Sequence, residues 1–130
     1  MSVKRISSGS SFEALAGYSR AVVAGDWIMV SGTTGYDYGT MCIAPDVASQ
    51  THQCFANIAH ALAQADASLA DVVRIRIYLV DAGDFPTVAP IVGTYMAEAR
   101  PANTTVIAGL IDPAMRIEIE VTAKRSSPAS

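Results

Sequence analysis

Charged side chains are scarce in this chain. They make up 16% of its 130 residues, while 51% are hydrophobic; an ordinary globular protein carries about 25% charged residues. That balance excludes intrinsic disorder. It also leaves little charge to cover a monomer, so part of the surface is expected to be a subunit interface. Basic residues are thin as well: nine Lys and Arg, scattered, in a net charge of −3. Binding a phosphate backbone needs a concentrated cationic footprint, so nucleic acid is not an expected partner. Cysteine is nearly missing, and Cys42 and Cys54 have neither metal nor redox spacing. They read as reduced thiols of a cytoplasmic protein. The first ten residues lack the apolar core of a signal peptide. The uncharged run 47–65 is long enough to span a membrane, but Gln50, His52, Gln53, Asn57, His60 and Gln64 interrupt it. No membrane association is expected.

The length suits one domain, 1–130, which buries roughly two-thirds of its unfolded surface without disulfide or metal. Ser-rich ends, 1–11 and 126–130, are expected to be loose. Tyr18 to Ala24 and Trp27 to Ser31 read as strands joined by a tight Gly25-Asp26 turn. Gly32 to Tyr38 reads as a loop, with a short strand at Met41 to Ala44. After Asp46, a capping residue, Val47, Thr51, Phe55, Ile58, Leu62 and Ala65 recur at helical spacing. Val72 to Val80 alternates, placing Val73, Ile75, Ile77 and Leu79 on one face and Arg74, Arg76 and Tyr78 on the other. A second helix runs from Asp84 to about Glu98, and Pro90 requires its regular part to begin near Val88. Asn103 to Gly109 and Met115 to Ala123 are the last strands, with a turn at Asp112-Pro113. The pattern is α+β: two helices on one face of a mixed sheet.

The second sheet face carries Arg74, Arg76, Glu118 and Glu120, a ladder expected to pair across strands. It reads either as a solvated face or as a subunit surface or barrel lining. Glu118 and Glu120 point the same way, which suits a carboxylate site and structural ion pairing equally. His52, Cys54 and His60 do not share a helix face at ligating distance, so no metal site is expected. Phosphate loops, dinucleotide fingerprints and nucleophile elbows are missing.

Gly17-Tyr18-Ser19-Arg20-Ala21-Val22, Val30-Ser31-Gly32, Gln50-Thr51, Asn57-Ile58, Ala67-Ser68-Leu69-Ala70-Asp71-Val72-Val73, Asp84-Phe85, Arg100-Pro101-Ala102 and Ile117-Glu118-Ile119-Glu120 stand in a telling order. In order and spacing the set resembles the RidA (YjgF-like) reactive-intermediate deaminases, over roughly 15–123. The resemblance implies a chorismate-mutase-like fold and a homotrimer whose sheets line a central barrel, with active sites in the clefts between subunits. It also implies cofactor-free hydrolysis of small enamines and imines, such as 2-aminoacrylate, to a 2-oxo acid and ammonia.

By the same resemblance Glu118 matches the family's water-positioning Glu, and Tyr18, Ser31 and Gly32 match the cleft wall. The family's carboxylate-binding Arg lies in a Pro-Ala-Arg-Ser/Thr motif. Here the motif reads Pro101-Ala102-Asn103-Thr104, so a single neutral amide replaces a charged fork. Losing charge-assisted bonds of about 1.5–3 kcal/mol weakens carboxylate binding about ten- to a hundredfold. The sequence therefore looks like a divergent branch. Three classes follow: a hydrolase for an imine or enamine other than 2-aminoacrylate, with Asn103 bonding the substrate; a non-catalytic small-ligand-binding trimer; and an endoribonuclease or translation inhibitor, which the acidic balance opposes.

Overall fold

The computed structural model describes residues 3–126. The chain runs β1 (Val3–Ile6), α1 (Ser11–Ala16), β2 (Ala21–Ala24), β3 (Trp27–Thr34), β4 (Tyr36–Asp37), β5 (Cys42–Ile43), α2 (Val47–Gln64), β6 (Val72–Leu79), α3 (Phe85–Tyr95), β7 (Ala102–Ile107) and β8 (Ile117–Lys124). Six strands form one sheet in the order β1-β2-β3-β8-β6-β7, and β4 pairs with β5 apart from it. Among the described residues only β6 and β7 run parallel, because α3 carries the chain back across the sheet between them. Strand β8 then enters on the far side of β6, antiparallel to both β6 and β3. Among the described residues no helix is long and apolar enough to cross a membrane.

The alternation in β8 fixes the two faces of the sheet. Ile117, Ile119, Val121 and Ala123 are buried, and Glu118, Glu120 and Thr122 lie on the opposite side. α2 lays its apolar stripe over the buried face, where Phe55, Ile58 and Leu62 are wholly covered. Each such side chain contributes about 1.5–3 kcal/mol of burial. Asp46 caps the helix by accepting from the Ser49 N–H at 2.8 Å. Gly25, at φ +63°, makes the β2–β3 turn in a conformation that side chains resist.

Several expectations are corrected. Residues 3–11 are not a loose end: β1 pairs with β2, and the buried Ser10 caps α1 by accepting from the Phe12 N–H. Residues 127–130 of the other expected tail lie outside the described residues. The loop expected at 32–38 is largely strand, since β3 continues to Thr34 and β4 follows. In β6 the buried residue is Val72 and not Val73, which is 44% exposed. A bulge between Val72 and Arg74 inserts one residue and shifts the alternation behind it. α3 is regular from Phe85, with Pro90 inside it. Pro86 and Pro90 are both exposed, so water can serve the carbonyl that lacks its helical donor.

Candidate active site

Glu118 stands in the middle of the sheet, opposite Thr34 of β3 and Tyr78 of β6. Its half-buried side chain leaves the sheet on the face without α2 and forms the floor of a cavity of about 700 Å³. Three further residues singled out in the sequence, Tyr18, Ser31 and Gly32, line the same cavity. A register shift in β3 between Val30 and Thr33 puts Ser31 and Gly32 in a bulge beside Glu118. Bulges of this kind re-aim the strand's groups. Here the Ser31 hydroxyl donates to the Ser19 carbonyl at 2.7 Å, and its N–H donates to the Arg20 carbonyl at 2.9 Å. Gly32 lies so close to Glu118 that a Cβ would overlap the carboxylate. Apolar groups from Phe12, Leu15, Leu110 and Ile111 complete the rim.

Behind the wall sits Arg20, 2% exposed. Its guanidinium donates to the Gly32 carbonyl at 2.7 Å and to Thr33 Oγ1 at 3.0 Å, and lies 4.5 Å from the centre of the Tyr38 ring. Glu13, also buried, supplies the counter-charge at 3.7 Å. Burial alone would raise the Glu13 pKa. Hydrogen bonds from Ser8 and Ser7 and the Arg20 charge outweigh it, and the group stays below the ordinary carboxylate value. Sequence reasoning missed the roles of Arg20 and Tyr38; a lone Arg beside an apolar run was the one available signal.

Burial raises the pKa of Glu118, and the charge of Glu120 raises it further, with Arg20 opposing both. Glu120 accepts a hydrogen bond from the Tyr78 hydroxyl. The expected pairing of Arg74 and Arg76 with Glu118 and Glu120 does not occur among the described residues, whose ion pairs are Arg20–Glu13 and Arg116–Asp84. Cys54 lies beneath the sheet, donates to the Thr33 carbonyl at 3.4 Å, and has its thiol pKa pushed up by burial. It is not a nucleophile in waiting.

Asn103 is not brought together with the other four residues within one chain. On β7 it stands level with Ile75, a buried residue of the helix-covered face. Its side chain lines a second cavity, of about 410 Å³, between α3 and β7. The two cavities therefore open on opposite sides of the sheet. The sequence supplies this parity only through the β6–β7 register, which local spacing does not reveal.

A mixed sheet with its two long helices on one face and a carboxylate-floored cavity on the other defines a chorismate-mutase-like α+β protein. The family model described as Endoribonuclease L-PSP matches residues 8–125. The chain is 33% identical over 121 residues to the 2-iminobutanoate/2-iminopropanoate deaminase of Rattus norvegicus, covering 92% of this chain and 88% of that one. A solved structure of a YjgF/YER057c/UK114 family member from Mycobacterium tuberculosis superimposes with a TM-score of 0.87 at 40% identity, covering 95% of this chain and 99% of the other. RidA from an Antarctic Psychrobacter gives 0.78 at 31% identity, over 82% and 87% of the two chains. The chain belongs to the RidA/YjgF family.

Proposed function

We propose that this protein hydrolyses a small imine or enamine, other than 2-aminoacrylate, in a cleft completed by a neighbouring copy of the chain in a homotrimer. The observation that carries the reading is the Glu118 carboxylate on the floor of the cavity, held against Gly32 with its pKa raised. Relatives named as iminobutanoate/iminopropanoate deaminases support the reaction class. An imine carbon is already electrophilic, so the chain's own residues need only orient substrate and water and move a proton. Glu118 as carboxylate takes a proton from water as its oxygen bonds to the imine carbon. An enamine first takes a proton on carbon to become the protonated imine, and water addition to the imine carbon leaves a carbinolamine with the proton on Glu118. The Glu118 acid passes this proton to the nitrogen, the hydroxyl oxygen's lone pair forms the C=O as the C–N bond breaks, and the hydroxyl proton returns to the Glu118 carboxylate as ammonia leaves. A raised pKa brings Glu118 closer to the operating pH, where one group serves as base and then as acid. No cofactor enters these steps.

The opposite placement of Asn103 and Glu118 across the sheet is what calls for a neighbour. Among the described residues β7 ends the sheet with an unpaired edge. In the proposed trimer this edge brings the α3–β7 cavity against the Glu118 cavity of an adjacent copy. The cavity above Glu118 carries no Lys or Arg in its lining, which does not suit RNA cleavage. The exchange of a charged fork for Asn103 favours a second reading, a small-ligand-binding trimer without turnover. Release of ammonia and 2-oxo acid from imines generated in situ separates the two. The hydrolase reading expects turnover that Glu118→Gln lowers at least a hundredfold, whereas ligand binding without turnover supports the second. Light scattering that gives a stable monomer at micromolar concentration removes the shared cleft.

A further inference from the structure

We infer that a third cavity, behind Arg20 and between α2 and the turn after β4, is a separate binding site that takes a small neutral polyol, of the size of a tetritol or pentose. Asn57, His60, Ala61 and Gln64 recur at three- and four-residue spacing, so α2 presents them along one face. With Ser7, Ser8 and the turn at Asp37 they enclose about 270 Å³. A water's share of liquid volume is about 30 Å³, so the space holds about nine groups of that size. Its lining shares only Tyr38 with the Glu118 cavity and nothing with the α3–β7 cavity. The pointer to a ligand is Arg20, which lines this space while 2% exposed. Among the described residues its Nε is the one buried side-chain nitrogen or oxygen without a hydrogen-bond partner. Glu13 stands 3.7 Å away, beyond hydrogen-bond reach, and the other guanidinium nitrogens are engaged by Gly32, Thr33 and Tyr18. A buried donor left unpaired is costly, and a ligand oxygen would satisfy it.

The groups nearer the surface decide the ligand's chemistry. Asp37 Oδ1 accepts from the Gly39 N–H at 2.9 Å, while Oδ2 accepts nothing among the described residues. The side chains of His60 and Gln64 are exposed and likewise make no hydrogen bond there. Asn57 is already engaged, donating to the Thr34 and Tyr36 carbonyls and accepting from Gln53. The ligand must therefore accept from an inner N–H and donate to an outer carboxylate. A hydroxyl does both, whereas an ammonium cannot accept and a phosphate or carboxylate dianion cannot donate. Charge points the same way: Glu13 already balances Arg20, so an anion would gain nothing from the guanidinium and be repelled by Asp37. Tyr38 and Ala61, both buried, offer apolar surface to the carbon skeleton.

This site needs no catalysis by Glu118, so its test is independent of the hydrolase reading. The full chain, labelled with nitrogen-15, is titrated with erythritol, D-ribose and ribose 5-phosphate while the Arg20 Nε–H and Gln64 side-chain amide signals are followed by NMR. Both signals should move with the two neutral polyols, the Arg20 proton downfield as it gains an acceptor, and move less with the phosphate. The backbone amides of Leu110 and Ile111, at the Glu118 cavity, should stay in place. His60→Ala and Gln64→Ala, at exposed positions where folding is not at stake, should each weaken ribose about three- to tenfold. An Arg20 Nε–H signal unmoved by either polyol overturns the inference and leaves water as the occupant. Tighter binding of ribose 5-phosphate than of ribose overturns the neutral ligand. Ribose affinity unchanged in both variants overturns the site, whatever the signals do.

Discussion

The backbone at Gly32 occupies the space in which any side chain would meet the carboxylate of Glu118. The bulge that brings this segment close also turns the Gly32 carbonyl back to Arg20, which donates to it at 2.7 Å. Glu118 is thereby confined on the side of β3 and free on the side of the cavity. A methyl group at position 32 has to displace the carboxylate, because the bulged strand is fixed by the Ser31 and Arg20 hydrogen bonds. Gly32→Ala is expected to lower kcat/KM on its best imine about a hundredfold, the scale set by an ångström of misplacement. The melting temperature should change little. Unchanged turnover would mean that the carboxylate position is not critical.

Glu120 raises the pKa of Glu118 through its charge. Removing that charge in Glu120→Gln should let Glu118 ionise at lower pH. Base catalysis by Glu118 is lost as pH falls through its pKa, so the acid limb of kcat/KM should lie above the ordinary Glu value of about 4.3 in wild type. In the variant the limb should move to lower pH. A limb that stays in place rules out Glu118 as the titrating base.

Glu13 is held below its ordinary pKa in the folded protein. A depressed carboxylate stabilises the fold above its unfolded-state pKa, and that contribution fades as pH falls through the folded value. Urea unfolding should therefore show stability falling from about pH 4.5 downward, with part of this slope missing in Glu13→Gln. At neutral pH the same variant leaves Arg20 buried without its counter-ion and should lose about 3 kcal/mol. A loss below ~0.5 kcal/mol would show that the Gly32 carbonyl, Thr33 and the Tyr38 ring suffice for Arg20.

Pro90 removes one helical hydrogen bond from α3 at an exposed position. Pro90→Ala restores the N–H and should raise stability by about 1 kcal/mol, less than the full helix-interior penalty because proline also restrains the unfolded chain. Chemical denaturation with an unchanged m-value is the check.

Much of the fold was legible because periodicity reports burial directly. Val47 through Ala65 and Ile117 through Ala123 carry patterns that no competing element explains, and both form as read. The misreadings sit where an inserted residue or a distant partner decides the outcome. Val73 was placed inward because a bulge is invisible to strict alternation. The first residues looked like a tail because Ser8 and Ser10 are polar, although their partners are Glu13 and the first turn of α1. The family resemblance named Glu118, Tyr18, Ser31 and Gly32, and the fold places all four on one cavity. It also named Asn103, but the face on which that side chain stands depends on pairing with Ile75, a residue 28 positions earlier.

The Ser8–Glu13–Arg20 chain has a practical consequence for handling the protein. Ser8 bonds Glu13, Glu13 balances Arg20, and Arg20 grips the carbonyl of Gly32 beside Glu118. The amino-terminal segment is therefore a counterweight to the cavity wall. On the proposed hydrolase reading, trimming the chain at Gly9 would act as a mutation of the cavity wall, and a bulky fusion joined there would disturb turnover before it disturbed folding.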